Sequence, residues 1–112
     1  MIIFISARES KLDGAIDERF GRCSYLIKMD TESGQWEAFA NPGAGHSGGA
    51  GVAAAQFLID HKANVAISGD FGPHAASALA AANVEMRLFG DHTSSVQQVL
   101  SRYEQGLLPV YK

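Results

Sequence analysis

The chain opens with a short apolar run, residues 2–6 (IIFIS), that has no polar face. A strand that is apolar on both sides is stable only where both faces of a sheet are covered. The run therefore predicts a central strand, with residues 24–29 antiparallel on one side and residues 65–69 parallel on the other. Helices covering both faces make a three-layer α/β fold the simplest architecture.

The rest of the chain alternates between strand and helix patterns. SYLIKMD and QWEAFAN, joined by the turn TESG, predict a β-hairpin, whereas two later strand–helix units predict parallel strands. In the first predicted helix, Val52, Ala55, Gln56 and Ile59 recur at helical spacing, and Phe57 and Leu58 widen this apolar stripe. In the last one, Ser94 and Gln97 fit a capping box. The predicted order is β–β–β–α–β–α–β–α, a mixed five-stranded sheet with three helices.

Size and composition narrow the class of protein. A chain of 112 residues predicts one domain, 1–112. The net charge of −3 and nine Lys and Arg residues give no basic face, so no nucleic-acid partner is expected. No apolar run is long enough for a membrane helix, and the first residues lack the pattern of a signal peptide. One cysteine excludes an internal disulfide and favours the cytoplasm.

Ligand sites in such sheets lie beyond the carboxyl ends of the parallel strands. The loops predicted to reach that edge are 7–23, 41–51, 69–74 and 89–94. Two of them, GAGHSGGAG and GDFGPHA, are glycine-containing turns that open helices. Because free N–H groups and the positive end of the helix dipole point outward there, the pair predicts an anion cradle.

Candidate metal ligands lie in the same loops. His46, His74 and His92 are all predicted at this edge, whereas His61 is interpreted as a bystander at a helix end. Each histidine taken alone is also typical of a solvated loop. Two interpretations of Cys23 are possible. It is either a small buried residue or a reactive thiol whose pKa is lowered by the adjacent Arg22.

Several enzyme classes are disfavoured. Residues 43–48 match G-x-G-x-x-G, but the match does not directly follow a buried strand, so a dinucleotide site is not favoured. No Walker motif is present, and Asp70 and Asp91 are too few acids for two-metal phosphoryl transfer. No catalytic set is recognisable, so we predict a protein that is not an enzyme. The polar segment 7–23 predicts either a working loop or an Ω-like loop pinned by Phe20.

These motifs together resemble the dinitrogenase iron–molybdenum cofactor biosynthesis family. The resemblance rests on Asp17-x-x-Phe20-Gly21-Arg22, Asn41, the Gly-Gly-Ala-Gly of 48–51, and Ser68-Gly69-x-x-Gly72-Pro73. It implies a ribonuclease-H-like fold with strand order 3-2-1-4-5 and strand 2 antiparallel. It also implies a carrier or scaffold for an iron–sulfur or molybdenum-containing cluster, with protein partners in cluster assembly.

One position departs from the family pattern. Members that carry a cofactor usually have His before Phe-Gly, where this sequence has Arg19, so ligation shifts to other residues. The candidate metal ligands are His46, His74 and Cys23, and the candidate cofactor-binding residues are Arg22, Gly45, Gly48, Gly49 and Gly72. The alternative function is a regulatory or adaptor domain that binds a protein partner or a simple anion without metal.

Overall fold

A computed structural model describes residues 1–90 and 94–111. It contains the eight elements that the sequence predicts, in the predicted order. The strands are β1 (Ile2–Ala7), β2 (Tyr25–Asp30), β3 (Trp36–Ala40), β4 (Val65–Ser68) and β5 (Glu85–Leu88). The helices are α1 (Ala50–Asp60), α2 (Pro73–Ala81) and α3 (Val96–Glu104).

The first strand lies at the centre of the sheet, as the apolar run predicts. The strand order is β3-β2-β1-β4-β5. β1 pairs antiparallel with β2, where Ile5 faces Ile27, and parallel with β4, where Ile5 faces Ile67. The carboxyl ends of β1, β4 and β5 therefore meet at one edge, where the loops with the candidate residues begin.

Successive side chains along each strand point to opposite faces of the sheet, and each face packs into its own hydrophobic core. On one face, Phe4 packs with buried residues of α1 and α2, including Leu58 and Leu79. On the other face, Ile3 and Ile5 pack with α3. Because α1 and α2 share the first core, they lie next to each other on the same side of the sheet.

The predicted apolar stripe of α1 is partly wrong. Val52 is 46% exposed and Gln56 is also exposed, whereas the buried residues are Ala50, Ala54, Ala55 and Leu58. Small side chains let this helix approach its neighbour closely: a Cβ built on Gly51 would lie 3.2 Å from the Cβ of Ala75 in α2. Close approach, rather than side-chain size, sets which face of α1 is buried.

The predicted capping box of α3 is shifted by one residue. Ser95, not Ser94, is the N-cap: its hydroxyl accepts from the Gln98 N–H at 3.2 Å, and its own N–H donates to Gln98 Oε1 at 2.9 Å. Ser94 is buried and its hydroxyl accepts from Arg102 at 2.6 Å. Both serines fit the sequence pattern, and the partner Arg102 decides between them.

The chain after α3 covers one edge of the sheet. The N–H of Leu88 donates to Pro109 O at 2.9 Å, and the N–H of Tyr111 donates to Met86 O at 3.0 Å. The tail thus pairs with the outer side of β5. Across the residues that the structure describes, no helix is long and apolar enough to cross a membrane.

Candidate functional site

A cleft of about 270 Å³ lies between the starts of α1 and α2. Its walls include Gly49 and Gly72, which are the N-cap residues of the two helices. Arg22 and His74 complete its polar lining, and Val52 and Phe71 supply apolar surface. Two separate helix starts therefore open into one space at the predicted edge.

The helix starts present backbone donors to this cleft. The first N–H groups bonded within each helix are those of Ala53, to Gly49 O, and Ala76, to Gly72 O. The N–H groups that precede them have no intrahelical acceptor; they belong to Ala50, Gly51, Val52, His74 and Ala75. Neither N-cap has a side-chain cap, and neither first turn carries an acid. The cleft is therefore suited to an anion.

The glycines of the opening loops serve different purposes. Gly49 and Gly72 have φ values of 71° and 76°, which L side chains rarely adopt. Gly45 and Gly48 have no such requirement, and a Cβ at either would meet nothing within 4 Å. The fold does not require glycine at these two exposed positions, so close approach of a ligand remains a prediction there.

Arg22 joins the loop that contains His46 to the cleft. Its guanidinium donates to the backbone oxygen of His46 and to that of Ser47, the latter at 3.4 Å. The side chain is exposed and lines the cleft. A fixed positive charge thus stands beside the free helix N–H groups, where it strengthens the attraction for an anion.

Asn41 connects the loop before β2 to the glycine-rich loop through hydrogen bonds, a role that the sequence patterns did not predict. Its side-chain amide donates to the backbone oxygens of Phe20 (3.2 Å), Gly21 (3.2 Å) and Cys23 (3.0 Å). Its Oδ1 accepts from the Gly43 N–H at 2.9 Å. The buried residue holds the loop before β2 against the glycine loop. The available signal was an asparagine at the end of a strand, before proline.

Phe20 pins the long loop, as one of the two readings predicts. It is 2% exposed, and its ring centroid lies 5.0 Å from that of Phe71.

In the same loop, Arg19 binds the buried carboxylate of Asp17 through Nε at 3.2 Å and a terminal nitrogen at 3.1 Å. Burial alone would raise the pKa of Asp17, but hydrogen bonds from Arg19 bring it below its usual value.

A second cleft of about 400 Å³ adjoins the first and shares Gly21, Phe71 and Gly72 with it. Its remaining lining includes Arg19 and the acids Glu18 and Asp70. Both acids repel an anion, and Asp70 Oδ1 also accepts from the Gly72 N–H at 3.2 Å. The first cleft is the better candidate, because its own lining contains no acid.

Cys23 lies beneath the site rather than in it. Its side chain has no exposed surface, and its thiol lies 3.3 Å from the backbone oxygens of Phe20 and Tyr25. Burial raises the pKa of the thiol to about 12. Desolvation is the largest cause of this shift, so the structure favours the interpretation of Cys23 as a small buried residue over a reactive thiol.

We expect Cys23 to resist thiol reagents in the folded protein. With a pKa about three units above that of an exposed thiol, the thiolate fraction at neutral pH falls about 1000-fold. Iodoacetamide labelling followed by mass spectrometry measures this directly, with the protein unfolded in urea as the control. Folded protein that labels as fast as the unfolded control would contradict the burial described above.

The structure brings some predicted site residues together and separates others. Arg22, Gly49, Gly72 and His74 line the cleft. His46, Gly45 and Gly48 lie on the exposed loop that Arg22 holds at the edge of the cleft.

The other predicted site residues do not contribute to the cleft. His92 and Asp91 lie outside the described residues. Among residues 1–90 and 94–111, no group of three His, Cys, Asp or Glu side chains could hold a metal ion. His61 stacks on Phe57, away from the cleft.

A larger cavity, of about 490 Å³, lies at the opposite end of the sheet. Its lining includes Met1, Glu85 and Tyr103, and none of the three described helices begins there. Burial and the Glu85 carboxylate, whose Oε2 lies 3.1 Å from the hydroxyl, raise the pKa of Tyr103. Size alone favours this cavity, but its lining holds the acids Glu85 and Glu104 beside Arg87, whereas the lining of the cleft between the helix starts holds Arg22 and no acid.

The fold and the cleft define a small α/β protein in which two helix starts open into one cleft. The chain belongs to the dinitrogenase iron-molybdenum cofactor family, whose model matches residues 1–106. This finding confirms the resemblance in the sequence.

Two solved structures are similar to this chain over nearly its whole length. The apo form of the orange protein from Desulfovibrio gigas is 33% identical with a TM-score of 0.90, covering 98% of this chain and 92% of that one. A putative NifB protein from Thermotoga, described as a member of the DUF35 family, is 28% identical with a TM-score of 0.84, covering 97% and 91%. No curated protein matched.

Proposed function

We propose that this protein is a non-catalytic carrier or scaffold that binds an iron–sulfur or molybdenum-containing metal–sulfur cluster during cofactor assembly. The observation that carries the proposal is the convergence of two uncapped helix starts and Arg22 on one cleft. Membership of the iron-molybdenum cofactor family supports the choice of ligand. A compact anion with several acceptor atoms matches this arrangement of donors.

The candidate residues divide the task. The guanidinium of Arg22 and the N–H groups next to Gly49 and Gly72 would hold the anionic sulfur or oxygen atoms of the cluster. His74 offers a metal ligand from the wall of the cleft, and His46 offers one from the loop at its edge. Imidazole suits borderline metals in clusters. Cys23 supports the loop in this proposal and does not ligate, because its sulfur is buried.

The proposal extends to the domain bounds, the fold family, the cellular location and the partners of the protein. We propose one domain over residues 1–112, a ribonuclease-H-like fold as the label for the observed strand order, and residence in the cytoplasm. Protein partners in cluster assembly would receive or supply the ligand. The exposure of Gly45, Gly48 and His46 favours a loop that a ligand can reach.

Tetrathiomolybdate, a simple soluble molybdenum–sulfur anion, provides a test of binding. We expect wild-type protein to bind it saturably and Arg22→Ala to bind about 10- to 100-fold more weakly, through loss of a charge-assisted hydrogen bond. His74→Ala and His46→Ala should each weaken binding by removing an imidazole N–H that can donate to sulfur, because the molybdenum of this anion already has four sulfide ligands, and Cys23→Ala should leave binding unchanged. Anaerobic titration followed by visible absorption gives the affinities.

Lys11→Ala is the matched control, because it removes one exposed positive charge outside the cleft. A parallel titration with sulfate and molybdate separates recognition of a thioanion from general attraction of anions. Equal binding by all variants would exclude these side chains as determinants. Failure of wild type to bind tetrathiomolybdate, or to carry iron or molybdenum after anaerobic purification, would contradict the proposal and favour the adaptor function.

A further inference from the structure

The two edge strands of the sheet, β3 and β5, differ in whether their outer sides are paired. The outer side of β5 pairs with the tail, where Arg87 faces Val110 in an isolated bridge. No described strand or bridge reaches the outer side of β3. A sheet edge of this kind carries a row of backbone donors and acceptors that can pair with another strand.

The hydrogen-bond pattern shows which groups face outward. The Asn41 N–H donates to Ser24 O at 3.0 Å, and Gln35 O accepts from the Asp30 N–H at 2.9 Å. Because antiparallel pairs alternate, the backbone groups of residues 35, 37, 39 and 41 face β2. The N–H and C=O groups of Trp36, Ala38 and Ala40 therefore face away from the sheet.

This edge lacks the features that usually block pairing. β3 contains no Lys, Pro or bulge, and its one charged residue, Glu37, faces Lys28 of β2. Ala38 packs against the core on the α3 side, so Trp36 and Ala40, two residues away, lie on that same face. Trp36 is 40% exposed there.

We propose that β3 pairs with β3 of a second copy of this chain, joining two sheets edge to edge. A two-fold axis at Ala38 sets each Trp36 opposite Ala40 of the second copy, a large side chain against a small one. This antiparallel pairing of the two strands forms about six backbone hydrogen bonds. It places Glu37 opposite Phe39 rather than opposite another Glu37. The self-complementary sequence thus favours a second copy over an unrelated peptide.

The pairing is weak, since a five-residue edge buries less than the roughly 1,000 Å² expected of a stable interface. We expect the dimer to form with a Kd of about 10 μM to 1 mM, as measured by sedimentation velocity. Trp36 is the only tryptophan, so its emission should shift to shorter wavelength as dimer accumulates. Protein that remains monomeric to about 1 mM would overturn the proposal.

Two variants locate the interface. Ala40→Glu should abolish the dimer, whereas Ala80→Glu, the same change at an exposed position on α2, should not affect it. Amide exchange of wild type needs no variant: Trp36, Ala38 and Ala40 should become protected as concentration rises, while Glu37 and Phe39 are protected throughout. A dimer that survives Ala40→Glu, that Ala80→Glu also abolishes, or that leaves the three outward amides unprotected would overturn the proposal.

Discussion

Asn41→Ala lowers the free energy of unfolding by about 2–4 kcal/mol, with a fall in Tm of about 10 °C or more. The change removes donors from the carbonyls of Phe20, Gly21 and Cys23 and the acceptor for the Gly43 N–H. These backbone groups lie in a buried region and lose their partner without gaining water. Urea denaturation and thermal unfolding measure the effect.

Asn41→Asp sharpens the test, because it keeps the shape but turns the amide donor into an oxygen. A carboxylate can still accept from Gly43, yet it repels the three carbonyls, so we expect greater destabilisation at pH 7 than at pH 5. Asn64→Ala is the control, since the side chain of this exposed residue accepts one hydrogen bond, from the Ile2 N–H. Equal losses for Asn41→Ala and Asn64→Ala would contradict the role of Asn41.

Gly21→Ala costs about 1–3 kcal/mol of stability and impairs ligand binding at the cleft. The added Cβ would lie 2.7 Å from the backbone nitrogen of Gly51 and 2.9 Å from its Cα. Both contacts are with backbone, so the loop and the start of α1 must move apart. Because Gly21 lines the cleft, this movement also displaces the N–H groups that face it.

Gly45→Ala is the matched substitution in the same region. A Cβ there meets nothing within 4 Å, and the backbone lies outside the left-handed range. We expect stability to remain equal or to rise by up to about 1 kcal/mol, because alanine restricts the unfolded chain. Guanidinium chloride unfolding compares the two variants. Equal stability of Gly21→Ala and wild type would show that the loop and helix are not in the tight contact described.

The architecture was predictable because its signals are local and repeated. The apolar run of β1 requires cover on both faces, and the hairpin and strand–helix units restrict its neighbours to β2 and β4. Glycines before α1 and α2 likewise predicted the two helix starts. The resemblance to a known family supplied the strand order.

The details that were wrong or missed depend on contacts between distant parts of the chain. Ser94 and Ser95 fit the same capping pattern, and only Arg102 distinguishes them. The exposure of Val52 follows from the approach of α1 to Ala75, which no helical pattern encodes. The burial of Cys23 and the bonds of Asn41 arise where residues about 20 positions apart meet.

The central claim is that the two helix starts form the binding site, and NMR tests it without any substitution. In a titration of ¹⁵N-labelled protein with tetrathiomolybdate, we predict that the largest saturable shifts belong to the N–H groups of Ala50, Gly51, Val52, His74 and Ala75. Shifts centred on the cavity near Met1, Glu85 and Tyr103, or no saturable shift at the helix starts, would contradict the account.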